Sequence, residues 1–196
     1  MYRRSLTLIA ALAAAAALAS AALAVNVHVR VEGKTQTIFG ATQPTLSAKA
    51  TALDALEAAG FAGEFYYHVT GSGYVDQIGR YPAGGLSGWV FKVNGVLPPV
   101  GADKVALKNG DSVLWYWATF NGPQGPPTLL VKRTARRGCY RVLAQNDAGK
   151  TTVATRAVFH VDGRTIRGTG GTLCLRRRHG LVRVTMAGAV RSNAVR

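Results

Sequence analysis

The sequence predicts an α+β fold class for its first half and a small all-β sandwich for its second. Three observations lead there. Val25, Val27, Val29 and Val31 alternate with polar residues, a capped helical segment follows at 51–60, and Asn-Gly turns then punctuate short apolar runs. Between the halves, residues 121–127 hold three prolines and two glycines and read as a linker joining 25–120 to 128–196.

Residues 1–24 read as a secretory signal peptide. Arg3 and Arg4 form a basic head, an apolar run follows, and Ala22-Leu23-Ala24 supplies the small-x-small pattern for cleavage between Ala24 and Val25. A run of about 20 apolar residues is also long enough for an uncleaved anchor. Its richness in alanine, and the strand pattern that starts directly after Ala24, favour cleavage. The mature product is then secreted, extracellular or held at the cell surface.

After the valine strand, a second strand is expected over 35–39. Thr51 and Asp54 have N-cap spacing, and the helix they open runs through Ala59 to a C-terminal cap at Gly60, with Leu53 and Leu56 inward. Residues 65–69 and 74–78 are strand candidates, followed by a glycine-rich loop over 79–88. Asn94-Gly95 predicts a hairpin between 89–93 and 96–97, and Asn109-Gly110 predicts another between 105–108 and 112–117, because both residue types tolerate positive φ. Beyond the linker, 139–143 is expected to pair with 151–161, Asp162-Gly163 to turn the chain into 164–166, and a last strand to begin at Val190.

The charge is unevenly divided. Seven Lys or Arg balance seven Asp or Glu over 25–126, whereas 127–196 holds fifteen basic residues against Asp147 and Asp162 alone. An anionic partner is the functional reading, with Arg176, Arg177 and Arg178 as contacts: teichoic acid or another envelope polymer, or lipid headgroups. The plain alternative is Arg usage set by a genome rich in G and C. Export argues against nucleic acid as partner. The only two cysteines, Cys139 and Cys174, are expected to form a disulfide in an oxidising compartment.

From 25 to about 120 the ordered series of motifs resembles the transcobalamin C-terminal-like domain family, a β-grasp-like extracellular module largely of unknown function. The motifs are the valine strand, the helix from Thr51 to Gly60, the stretch from Ser87 to Gly95 and the stretch from Leu107 to Trp117. The resemblance implies a β-grasp-like domain. In transcobalamin and intrinsic factor such a domain closes over cobalamin against a large helical domain, so cobalamin capture here would need a partner chain or a dimer for the other wall. Residues 182–192 more loosely resemble immunoglobulin-like or carboxypeptidase-regulatory-like extracellular modules.

No catalytic constellation is visible. His28, His68, His160 and His179 stand apart, and there is no His-x-x-x-His or Cys-x-x-Cys spacing, so no metal site is expected. The aromatics are the better lead. Trp89 and Phe91 share one strand face and are expected in the core, while Trp115 and Trp117 share another and suit a core or a rim. Tyr66, Tyr67, Tyr81 and Tyr116 are expected at the surface and, with Trp115 and Trp117, are the ligand-contact candidates. The reading is a secreted noncatalytic binding or envelope-associated protein. Its alternatives are capture of cobalamin or another soluble ligand by the first half, and an unrecognised envelope polysaccharide hydrolase.

Overall fold

The computed structural model describes residues 24–41, 45–122, 124–176 and 179–196. The signal-peptide assignment falls outside these residues except at Ala24, and so do Arg177 and Arg178.

The elements of the first half are β1 (Val25–Glu32), β2 (Thr37–Phe39), β3 (Thr45–Ala48), α1 (Ala52–Gly63), β4 (Tyr67–Val69), β5 (Val75–Ile78), β6 (Tyr81–Pro82), β7 (Ser87–Val93) and β8 (Ser112–Thr119). Those of the second are β9 (Thr128–Arg133), β10 (Cys139–Gln145), β11 (Thr151–Val153), β12 (Val158–Val161), β13 (Arg164–Arg167), β14 (Thr172–Cys174) and β15 (Val182–Thr185).

This inventory corrects the expected fold class. The described residues are mostly β, arranged as several small sheets with a single α-helix, and not the α+β domain that the sequence pattern suggested or the β-grasp-like module that the resemblance implied. Several strands span only two to four residues, too short to display an alternation that a sequence reading can detect. β3, β6 and β9 were not anticipated at all.

β1 pairs in parallel with β8, which pairs antiparallel with β7, while β2 and β3 share the other edge of β1. The helix begins as its residues dictate. The Thr51 hydroxyl accepts from the Asp54 N–H at 3.2 Å, and the Asp54 carboxylate accepts from the Thr51 N–H at 3.0 Å. Ala52, Ala55, Leu56 and Ala59 form its buried stripe. The expected stop at Gly60 is wrong by a turn, because the left-handed cap is taken by Glu64 at φ 52°. Gly60 serves proximity instead: a Cβ there would stand 3.3 Å from the Phe65 carbonyl oxygen.

The Asn94-Gly95 turn forms, with φ of 51° and 84°, and closes the expected hairpin as a single antiparallel bridge in which Val93 and Val96 exchange both backbone hydrogen bonds, without a strand at 96–97. On its other side β7 pairs along its length with β8, setting Trp89 opposite Trp117 and Phe91 opposite Trp115. Residues 105–108 likewise contribute only an isolated bridge, Ala106 to Thr51.

In the second half β10 is flanked by β9, β14 and β11, while β12 pairs with β13 and β15. The turn at Asp162-Gly163 forms as expected, with φ of 49° and 73°. Leu129, Val131, Tyr140 and Val142 from the first group pack with Phe159, Val161, Val182 and Val184 from the second. Val190 makes an isolated parallel bridge to Thr128, not the expected strand.

The main sheet of the first half is covered on both faces. Val27, Val29, Val31, Trp89, Phe91 and Trp115 share a core with α1 on one side. On the other, Tyr116 and Ala118 meet Val190, and the polar residues Arg30, Glu32 and Lys92 are buried as well. Two charged contacts tie that second face down. Lys92 Nζ donates to the carbonyl of Asn146 at 3.0 Å and lies 3.2 Å from Asp147 Oδ1. Glu32 accepts from Arg191 Nε at 3.1 Å and has Arg30 and Arg183 at 3.7 and 3.8 Å. Thr37 links the same cluster, donating to Glu32 and accepting from Arg183.

Candidate functional site: an arginine-lined depression

Five of the fifteen basic residues of the second half gather beside its disulfide. β9 and β10 are joined by a turn in which the Thr134 N–H donates to the Cys139 carbonyl and the Cys139 N–H to the Arg136 carbonyl. Gly138 closes it at φ 73°, where a Cβ would stand only 2.5 Å from the Leu175 carbonyl oxygen, so no other residue fits. Cys139 and Cys174 face one another across β10 and β14 and are joined by the expected disulfide. The bridge fixes the Arg136-Arg137 turn against the end of β14, which leads into Arg176. At the C-terminus, Val195 exchanges backbone hydrogen bonds with Val182 on β15, and this places Arg196 at the same depression.

Arg133, Arg136, Arg137, Arg176 and Arg196 line the resulting hollow of about 1080 Å³ with His179, and no Asp or Glu side chain is among its described lining residues. None of the five arginines takes part in an ion pair among the described residues. The two acids of this half are occupied elsewhere. Asp147 pairs with Lys92 of the first half, and Asp162 accepts from the Gly180 N–H at 2.8 Å. His179 anchors the rim: its Nδ1 meets the Gly180 carbonyl at 2.9 Å and its Nε2 lies 3.0 Å from the Tyr140 hydroxyl. Guanidinium groups held around one hollow suit phosphate or carboxylate groups, which they bind through paired N–H donors.

Of the basic residues singled out from sequence, Arg176 therefore lies in the depression. Sequence reasoning missed Arg133, Arg136, Arg137 and Arg196. The Arg136-Arg137-Gly138-Cys139 run was a usable signal, because a disulfide to Cys174 must bring that turn beside Arg176.

The aromatic candidates are scattered. Tyr116, expected at the surface, is fully buried under Lys92, whose Nζ stands 5.7 Å from its ring centroid. Burial first, and Asp147 second, raise its hydroxyl pKa above the ordinary tyrosine value. Trp115 is core, stacked on Phe91 at 5.0 Å. Tyr66 is exposed and Tyr67 half-buried beside Glu57, Phe61 and Glu64 of the helix end, away from the tryptophans. Burial, then Glu57 and Asp54, raise the Tyr67 pKa. Only Tyr81 and Trp117 meet, at 6.1 Å between ring centroids, with Trp89 completing the group and donating its indole N–H to the Tyr81 carbonyl at 2.8 Å.

Among the described residues no helix is long and apolar enough to cross a membrane, and no group of three metal-ligating side chains is present. His68 lies 2.6 Å from Asp76, both side chains exposed on the outer side of β4 and β5. No curated protein and no solved structure matches the chain. Residues 49–119, from just before α1 to the end of β8 and short of every arginine in the depression, match a family model described as Domain of unknown function (DUF4430).

Proposed function

We propose that this chain is a secreted, noncatalytic envelope-associated protein whose second half holds an anionic cell-envelope polymer in the arginine-lined depression. The observation that carries the reading is the set of five arginines around one hollow, none in an ion pair with an Asp or Glu side chain among the described residues. Like charges kept together at a cost in self-repulsion are stabilised by a polyanion that bridges them. We read the first half as a transcobalamin C-terminal-like module. The family match inside 25–120 supports that reading, as do the motifs described for that stretch.

The test is sedimentation of the mature protein with cell walls rich in phosphodiester polymer, across a salt series. Screening shortens from about 10 Å at 0.1 M salt to about 3 Å at 1 M, so bound protein should be released over that range. The combined variant R136Q, R137Q and R176Q should release at much lower salt. Retention unchanged at 1 M salt, or unchanged in the triple variant, defeats the proposal.

A further inference from the structure

A second cleft lies where the two halves meet, remote in composition from the arginine depression. Four segments wall it: the β1–β2 turn with Gly33 and Lys34, the end of β8 with Trp117 and Thr119, the linker with Asn121 and Gln124, and the turn at 188–191 that ends in Arg191. Its volume is about 630 Å³, within the range of sites for small organic ligands.

Two of its walls are joined by Arg191, which donates from Nη2 to the Gly33 carbonyl at 2.7 Å and from Nε to the buried Glu32 at 3.1 Å. One wall is thereby fastened to the other before any ligand arrives, which lowers the ordering that binding requires. Trp117 is braced from behind by Trp89 at 5.7 Å and by Tyr81.

The chemistry of the walls is mixed in a particular way. Among the described residues Lys34 makes no ion pair and no Asp or Glu lines the cleft. Asn121, Gln124 and Thr119 supply neutral donors and acceptors. Trp117 adds an apolar ring.

From this we infer that the junction cleft binds an acidic saccharide. A sugar ring offers an apolar face to Trp117, its hydroxyls match the amides and Thr119, and its carboxylate matches Lys34. A bare phosphate would use the lysine and leave the tryptophan and amides idle. This inference does not depend on the arginine depression.

The experiment titrates the mature protein with trigalacturonic acid, using calorimetry and tryptophan fluorescence, with maltotriose and inorganic phosphate as parallel arms. Saturable binding of trigalacturonate is expected. K34Q should weaken it at least fivefold, while W117F, which keeps the ring packing, should weaken it and reduce the fluorescence change. The R136Q, R137Q and R176Q variant should bind it as wild type does, which separates this site from the polymer site. No saturable binding at millimolar trigalacturonate overturns the inference. Unchanged affinity in K34Q, affinity for phosphate or maltotriose equal to that for trigalacturonate, or loss of binding in the triple arginine variant overturns it as well.

Discussion

Lys92 is rooted in β7 of the first half, yet its ammonium is fully buried among partners from the second: the Thr128 hydroxyl at 3.3 Å, the Gln145 carbonyl at 3.4 Å, the Asn146 carbonyl at 3.0 Å and Asp147 at 3.2 Å. Replacing it with alanine removes three buried methylenes, worth about 2.4 kcal/mol at roughly 0.8 kcal/mol each. It also strands Asp147 and three oxygen acceptors, offset by relief of the desolvation that a buried ammonium carries. The expected net loss for Lys92→Ala is about 3–5 kcal/mol. Lys92→Met keeps the stem and should lose about half of that, in the range of unmade hydrogen bonds to a charged group. Guanidinium unfolding gives the assay a built-in division, because Trp89, Trp115 and Trp117 all lie in the first half. Tryptophan fluorescence therefore reports that half alone, while far-ultraviolet circular dichroism reports both. In the wild type the two transitions should coincide, as a cooperative unit requires. In Lys92→Ala they should separate, with one half melting before the other. A change below about 1 kcal/mol with the transitions still coincident would show that Lys92 does not couple the halves.

The same residue sets a pH dependence. Burial holds Lys92 below its ordinary 10.5, against the opposing pull of Asp147. Between that lowered value and 10.5 the unfolded chain binds more protons at this site than the folded one, so its contribution to stability rises with pH; below the window both states are protonated and the desolvation burden is complete. The stability of wild type relative to Lys92→Met should therefore grow as pH climbs toward 10.5, and a constant difference would contradict this. Glu32→Gln leaves Arg30, Arg183 and Arg191 converging on a neutral amide, and should cost about 2–4 kcal/mol in urea denaturation. Stability equal to wild type would mean that the guanidiniums do not need the carboxylate. Replacing Cys139 and Cys174 together by serine opens a loop closed across 35 residues, an expected loss of about 4 kcal/mol by chain entropy. Cell-wall retention should fall with it, because the bridge positions the Arg136-Arg137 turn; full retention by the folded double variant would refute that positioning role.

Much of the local structure was legible before any coordinates. The Thr51–Asp54 capping box, the turn at Asp162-Gly163 and the cysteine pairing each depend on a few residues close in sequence or on the lack of another partner. Of the proposed anion site, Arg176 and the disulfide were legible, and the charge imbalance pointed to the half in which the proposed site lies. Arg133 and Arg196 were not, because β-pairing and the docking of the C-terminus on β15 bring them there. The fold class was misjudged for a related reason. One well-capped helix leaves a clear mark, whereas two- and three-residue strands leave none.

Tyr116 shows where local reading reaches its end. The period-two pattern of β8 placed it opposite Trp115 and Trp117, and that is where it lies. What the pattern lacked was the occupant of that opposite side. On its own the sequence determined which residues share a face of each strand, since that follows from backbone geometry alone. Only the tertiary structure decided that the polar face of Arg30, Glu32, Lys92 and Tyr116 is covered by the second half. Whether such a face meets water or protein depends on contacts such as Glu32 to Arg191 and Lys92 to Asp147, which join segments far apart in the chain and have no local signature.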